Sequence, residues 1–204
     1  MPSGPDCFII RSMTGVVRYL THPQVTVDPS VPVPSWGLSA VGRTRAVAFA
    51  AAGKFQGTTQ IVASEERKAI ETAEIIAESL NVALEIRQAM HENDRTATGF
   101  LEPEEFEAVA DQFFRRPLVS VRGWERAIDA QRRILHEAEE VLSRNLPGDV
   151  LFVGHGAVGT LLFCHYAGLE IDRAHDQPAG GGSCFAFAKE GRRILHPWRR
   201  MEDL

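Results

Sequence analysis

With 204 residues, 44% of them hydrophobic and 24% charged, and a formal net charge of −5, the chain has the composition of a soluble globular protein and the length of one sizeable domain. The acidic balance and the lack of a basic stripe exclude nucleic acid as an expected partner, and no apolar run approaches the roughly 20 residues that a membrane span needs. Cys7, Cys164 and Cys184 are odd in number, far apart and without a Cys-x-x-Cys pair, which argues against a disulfide framework or a zinc site and for reduced thiols in a cytoplasmic protein.

Residues 1–12 read as an N-terminal extension without the basic-then-apolar pattern of a secretory signal. Met13 stands just ahead of the first convincing strand, and a single domain is expected over 13–204. Gly15 to Leu20 is a β-prone run that should end at Thr21-His22-Pro23, because Pro23 has no N–H for a sheet ladder. After the proline-rich VTVDPSVPVPSW, Ser39 is placed to cap a helix ending at Gly53, with a buried stripe expected at Val41, Val47, Ala50 and Ala51.

Thr58 to Ala63 predicts a second strand. Ser64 then caps a helix with Glu65 and Glu66 in its first turn and Ala69, Ala73, Ile76, Ala77 and Leu80 on its apolar face. Val82 to Ile86 predicts a third strand. Pro103 suits the first turn of a helix carrying Phe106, Val109, Ala110, Phe113 and Phe114. Trp124 opens a longer helix marked by Ile128, Gln131, Leu135, Ala138, Val141 and Leu142.

Asp149 to Gly154 is apolar in the manner of a mid-sheet strand. His155-Gly156 then turns into an apolar helix ending at Gly168, Gly180 to Gly182 form a short flexible turn, and Ser183 to Ala188 read as the last strand. Strands alternating with helices predict a layered α/β fold with a mostly parallel sheet.

Ligands of such folds bind beyond the carboxyl ends of the strands. There the sequence puts His22 after the first strand, Ser64 and Lys68 after the second, and His91, Glu92, Asp94 and Arg95 after the third. His155 ends the apolar strand, and Gly156 opens the helix behind it, where backbone N–H groups and the helix dipole favour an anion. Singly, each has an ordinary reading: a loop histidine before proline, a solvated lysine, a surface carboxylate. Sharing one rim, His22, His155, Lys68, Arg95, Glu92 and Asp94 form a candidate site of two histidines, two cations and two carboxylates.

Four segments carry a family resemblance. They are Tyr19-Leu-Thr-His22-Pro-Gln24, Leu38-Ser-Ala-Val-Gly-Arg43, Ser64-Glu-Glu-Arg-Lys68-Ala-Ile-Glu-Thr72-Ala73 and Val153-Gly-His155-Gly-Ala157. In order and spacing they resemble the Leu-Val-Arg-His-Gly-Glu, Leu-Thr-x-x-Gly-Arg, Ser-Pro-Leu-x-Arg-Ala-x-x-Thr-Ala and Val-x-His-Gly-Gly motifs of the histidine phosphatase superfamily, the branch that includes cofactor-dependent phosphoglycerate mutases. The resemblance runs from about Val16 to Ala188. It implies a three-layer sandwich with helices on both faces of the sheet.

It also implies a mechanism without metal or cofactor. His22 would be the phosphoryl-accepting nucleophile. His155, Lys68, Arg95 and the helix start at Gly156 would hold the phosphoryl oxygens, and Glu92 would be the acid, with Asp94 as the rival for that role. The ligand would be a small phosphorylated molecule; the oligomeric state is not specified. Trp36, Phe100 and Phe106 are open to either a leaving-group or a core role.

The chain departs from the family pattern at Thr21 and Lys68, where arginines are expected, and at Pro23. An ammonium does not replace a planar bidentate guanidinium in kind, and a hydroxyl still less. Arg95 or Arg67 could supply the missing charge, whereas Arg18 lies four strand residues, roughly 13 Å, from His22. A weak or narrowly selective enzyme is expected, improved by Thr21→Arg if the strand end has room. A non-catalytic binder of phosphorylated ligands or proteins, and a mutase, are the alternatives.

Overall fold

The apolar runs come together as one sheet in a computed structural model, which describes residues 15–204. The extension expected at 1–12, Met13 and Cys7 lie outside the described residues. The strands are β1 (Val16–Thr21), β2 (Thr58–Ser64), β3 (Leu84–Arg87), β4 (Asp149–Gly154), β5 (Ser183–Ala188) and β6 (Ile194–Arg200), in the order β3-β2-β4-β1-β5-β6. β3, β2, β4 and β1 run parallel, and β5 and β6 extend the sheet antiparallel.

Successive strand residues point to opposite faces, and both faces are covered. Val17, Tyr19, Val150, Phe152, Phe185 and Phe187 pack under α3 (Pro103–Arg115), α4 (Ala127–Ser143) and α5 (Gly156–Ala167). Leu20, Ile61, Ala63, Leu151, Val153 and Cys184 pack under α1 (Ala40–Ala51) and α2 (Arg67–Leu80). This is the expected three-layer α/β sandwich. No described helix is long and apolar enough to cross a membrane, and Cys164 and Cys184 are buried free thiols.

Several local expectations are corrected. Ser39 does cap α1, its side chain accepting from Gly42 N–H. Yet Val41 and Val47 are exposed, and Gly42, Ala46 and Phe49 form the buried stripe. A Cβ at Gly42 would stand 2.1 Å from Gln24 O, so the first turn of this helix docks through its glycine. β2 continues through Ser64, and the chain stays extended at Glu66, so α2 begins only at Arg67.

β3 starts two residues later than expected because Val82 N–H is used by Ala77 O in the left-handed turn at Asn81 that closes α2. α4 begins at Ala127, not Trp124; the Trp124 ring is buried and its Nε1–H donates to Thr98 Oγ1 at 2.9 Å. Its first buried positions are Ala127, Ala130 and Ile134, one step round from the expected Ile128 and Gln131. The strand β6 was not anticipated. It sits at the sheet edge, where Pro197 is tolerated.

The site is positioned by the β1–β4 seam. Thr21 is in register with Gly154, and His22 N–H donates to Gly154 O at 3.0 Å. His22 and His155 therefore leave adjacent parallel strands side by side. Beneath them the buried Tyr19 hydroxyl accepts from His155 N–H at 3.1 Å and donates to His155 O at 3.2 Å. Burial pushes the Tyr19 phenol pKa strongly upward, so this clamp stays protonated.

Candidate active site

The imidazoles of His22 and His155 lie 5.3 Å apart, centroid to centroid, with their planes at 67°. His22 Nδ1 is 2.8 Å from Pro23 O. A carbonyl can only accept, so the neutral ring carries its proton on Nδ1 and leaves the Nε2 lone pair free. His22 is half-buried on a cavity wall, and burial, reinforced by the charges of Lys68 and Arg95, pushes its pKa down to about 4. His155 is fully buried and held well below the usual range by desolvation. Its Nε2 is 2.8 Å from Ser64 Oγ.

Glu92 caps α5 from a distance. His155, the residue before the helix, offers no side-chain cap. Instead Glu92 Oε2 accepts from Ala157 N–H at 3.2 Å, and Oε1 from Val158 N–H at 3.0 Å and Asn93 N–H at 3.1 Å. Burial raises the Glu92 pKa against the opposing pull of Arg95 and these amides. Oε2, with one donor, keeps a lone pair for a proton. Asp94 is exposed, its Oδ1 accepting from Thr96 N–H at 2.9 Å, and hydrogen bonds from Thr96 lower its pKa. Of the two carboxyls, Glu92 alone has its pKa shifted upward.

A cavity of about 680 Å³ joins these parts; its wall includes His22, Glu92, Arg95, Gly156, Gln177 and Gly181. The Arg95 guanidinium stacks 4.9 Å over the Phe106 ring and makes no ion pair among the described residues. Arg67 is exposed and paired with Glu71, and Arg18 is paired with Asp149 at the far end of β1. Neither reaches the site. Trp36 and Phe100 pack against each other, ring centroids 5.9 Å apart and planes tilted by 58°.

Lys68 is placed differently from the sequence expectation. It is 4% exposed, its ammonium ion-paired with Glu66 and donating to Val33 O at 3.0 Å. Glu66 is equally buried; its Oε1 accepts from Glu92 N–H at 2.8 Å and lies 3.6 Å from His155 Nε2. Burial alone would raise the Glu66 pKa, but the Lys68 ammonium and the Glu92 amide hold it below the ordinary carboxylate range. Because His155 is neutral, Lys68 is the effective counter-charge. The strand end at Thr21 is also closed: Thr21 is fully buried and bonded to Gln177 and Ser183.

The sequence profile of the histidine phosphatase superfamily (branch 1) matches residues 32–197. The chain belongs to the histidine phosphatase superfamily. The matched span begins after β1, so His22 and its altered neighbours Thr21 and Pro23 precede it. No curated protein matches the sequence.

Among solved structures, a mycobacterial glucosyl-3-phosphoglycerate phosphatase is similar with a TM-score of 0.73 and 21% identity, over 91% of this chain and 96% of that one. YhfR of Bacillus stearothermophilus is similar with a TM-score of 0.76 and 20% identity, over 90% and 95%. A phosphoserine phosphatase variant of Entamoeba histolytica, in complex with phosphoserine, gives 0.76 and 14%, over 93% and 99%. At these identities the likeness is one of fold.

Three contributors to this superfamily member's site were not read from its sequence. Glu66 stands where the family motif has an apolar residue, and that acid two places before Lys68 was the available signal. Gln177 comes from the loop before β5 and has no local signature. The turn at Gly180 to Gly182, all at positive φ, is part of the site wall: Gly182 N–H donates to His22 O at 3.0 Å, and Arg45 bonds Gly180 O and Gly181 O.

Proposed function

We propose that this chain is a phosphomonoester hydrolase that works through a phosphohistidine at His22 and needs no metal ion. The observation that carries the reading is the pairing of a neutral His22, its Nε2 lone pair free, with Glu92, whose pKa burial raises, on the wall of the same cavity. Nε2 attacks phosphorus in line; the N–P bond forms as the ester P–O bond breaks, and Glu92 passes its proton to the leaving alkoxide. Glu92, now ionised, takes a proton from water, whose oxygen attacks phosphorus and releases His22 and phosphate. The start of α5 at Gly156 and the Arg95 guanidinium face the phosphoryl oxygens. The phosphatase names among its structural neighbours support a small phosphorylated organic substrate.

A second reading, a non-catalytic binder of phosphorylated ligands, is favoured by one feature: Glu66 neutralises the cation expected to hold phosphate. The test is hydrolysis of p-nitrophenyl phosphate with His22→Ala as control, together with trapping of acid-labile phosphate on the protein. Turnover and a phosphoenzyme that both vanish in His22→Ala support the hydrolase. Phosphate binding without either supports the binder.

A further inference from the structure

At the end of β1, where the family pattern has an arginine, the Thr21 hydroxyl accepts from Ser183 N–H at 3.0 Å and contacts Gln177 Oε1 at 2.5 Å. Its single hydrogen has two acceptors in reach, the Gln177 carbonyl oxygen at 2.5 Å and Ser183 O at 3.3 Å, and the shorter contact to Gln177 orients that amide. Gln177 Nε2 is turned away from Thr21 and lies over Gly156, the first residue of α5. A Cβ on Gly156 would stand only 2.6 Å from this nitrogen, so the absence of a side chain there lets the amide lie over the helix start.

Gln177 is half-buried on the wall shared with His22, Glu92 and Arg95, and its Nε2 has no hydrogen-bond partner among the described residues. Its backbone is held as well. Gln177 N–H donates to Asp176 Oδ1 at 2.7 Å, and the same oxygen accepts from Thr160 Oγ1 at 2.7 Å.

Building on the phosphatase reading above, we propose that Gln177 is a donor to a phosphoryl oxygen of the substrate and that Thr21 is its positioning residue. The lost arginine is thus replaced by a two-residue device, a hydroxyl that orients a neutral amide. Fixed donors aimed at a phosphoryl group need no reorganisation during reaction. With Lys68 compensated by Glu66, the cavity offers neutral N–H donors and Arg95, which makes no ion pair among the described residues. That set suits a phosphoryl group carrying one negative charge better than one carrying two.

The test compares the native protein with Gln177→Leu, Thr21→Val, Thr21→Ser and the Thr21→Val/Gln177→Leu pair. It reads KM for p-nitrophenyl phosphate, Ki for inorganic phosphate and the melting temperature. Gln177→Leu should raise KM and Ki roughly tenfold, the scale of one hydrogen bond to a charged group, with little change in melting temperature. Thr21→Val should raise both several-fold, Thr21→Ser should restore them, and the pair should match Gln177→Leu alone, because Thr21 acts through Gln177.

An active native protein whose Gln177→Leu variant stays within twofold in KM and Ki overturns the donor role. Additive effects in the pair overturn the positioning role. If Thr21→Val does not fold, Gln177→Leu and Thr21→Ser decide. A native protein that neither hydrolyses the ester nor binds phosphate overturns the phosphatase reading, and this inference with it. That failure is seen before any variant is made.

Discussion

Lys68 and Glu66 give a sharp test of the site's electrostatics. Lys68→Met keeps the length of the side chain and removes the ammonium, leaving the Glu66 carboxylate, 5% exposed, with the Glu92 N–H at 2.8 Å but no counter-charge. Removing one partner of a buried pair costs about 3–5 kcal/mol, because the other charge stays desolvated. For a domain of this size each kcal/mol shifts the melting temperature by about 2–4 °C, so a fall of roughly 6–20 °C is expected.

Glu66→Leu/Lys68→Met removes both charges and should lose less than Lys68→Met alone. The pH dependence has a definite sign. Glu66 is depressed in the folded state, so its contribution is full above the ordinary carboxylate pKa and is lost as pH falls through the folded value. Thermal melts of native, single and double variants between pH 2, about the folded Glu66 value, and pH 7 measure all of this. A Lys68→Met variant within about 1 kcal/mol of native at pH 7 would refute the assignment of Lys68 as a structural counter-ion and return it to the phosphate-binding role its sequence position suggested.

The rate profile should be acid-shifted. kcat/KM should rise as His22 deprotonates near pH 4 and fall as Glu92 loses a proton held above the ordinary carboxylate value; an acid limb near the usual histidine pKa would contradict the burial argument. Glu92→Gln should lower kcat by about 10²–10⁴-fold and abolish the alkaline limb, so a retained limb would hand the acid role to another group. Hydrolysis of an aryl phosphate should survive excess chelator, whereas loss reversed by a divalent ion would overturn the metal-free mechanism. Thr21→Arg should lower activity, because Thr21 is fully buried and a guanidinium there must displace the half-buried Gln177, while Thr21→Arg/Gln177→Ala should recover or exceed native turnover; a gain in the single variant would show that the strand end has room.

Much of the frame was legible because it rests on short-range rules. The apolar run before His155 and the proline after His22 mark strand ends, and parallel strands bring their carboxyl ends to one rim. His22, His155, Glu92, Gly156 and Arg95 meet there as expected. What was illegible depends on packing between distant segments. Glu65-Glu66 ahead of a helix reads as charge suited to the dipole, but the extended backbone at Glu66 directs its carboxylate to Lys68 and towards His155. Val41 and Val47 read as part of a buried helical stripe, yet the close approach of Gln24 O to Gly42 turns them to solvent. Gln177 meets Thr21 across 156 positions of sequence, a contact that no local pattern encodes.

The remote cap on α5 links proton traffic to mechanical order. When Glu92 is ionised, both its oxygens hold amide hydrogens of the helix's first turn; when it is protonated, the same bonds weaken, since a neutral carboxyl is a poorer acceptor. The stiffness of the helix start behind His155 should therefore rise and fall with the charge on one side chain. Amide exchange at Ala157 and Val158 would then report the titration of Glu92 directly, giving a readout of the acid's charge state in the resting protein, with no substrate and no turnover required.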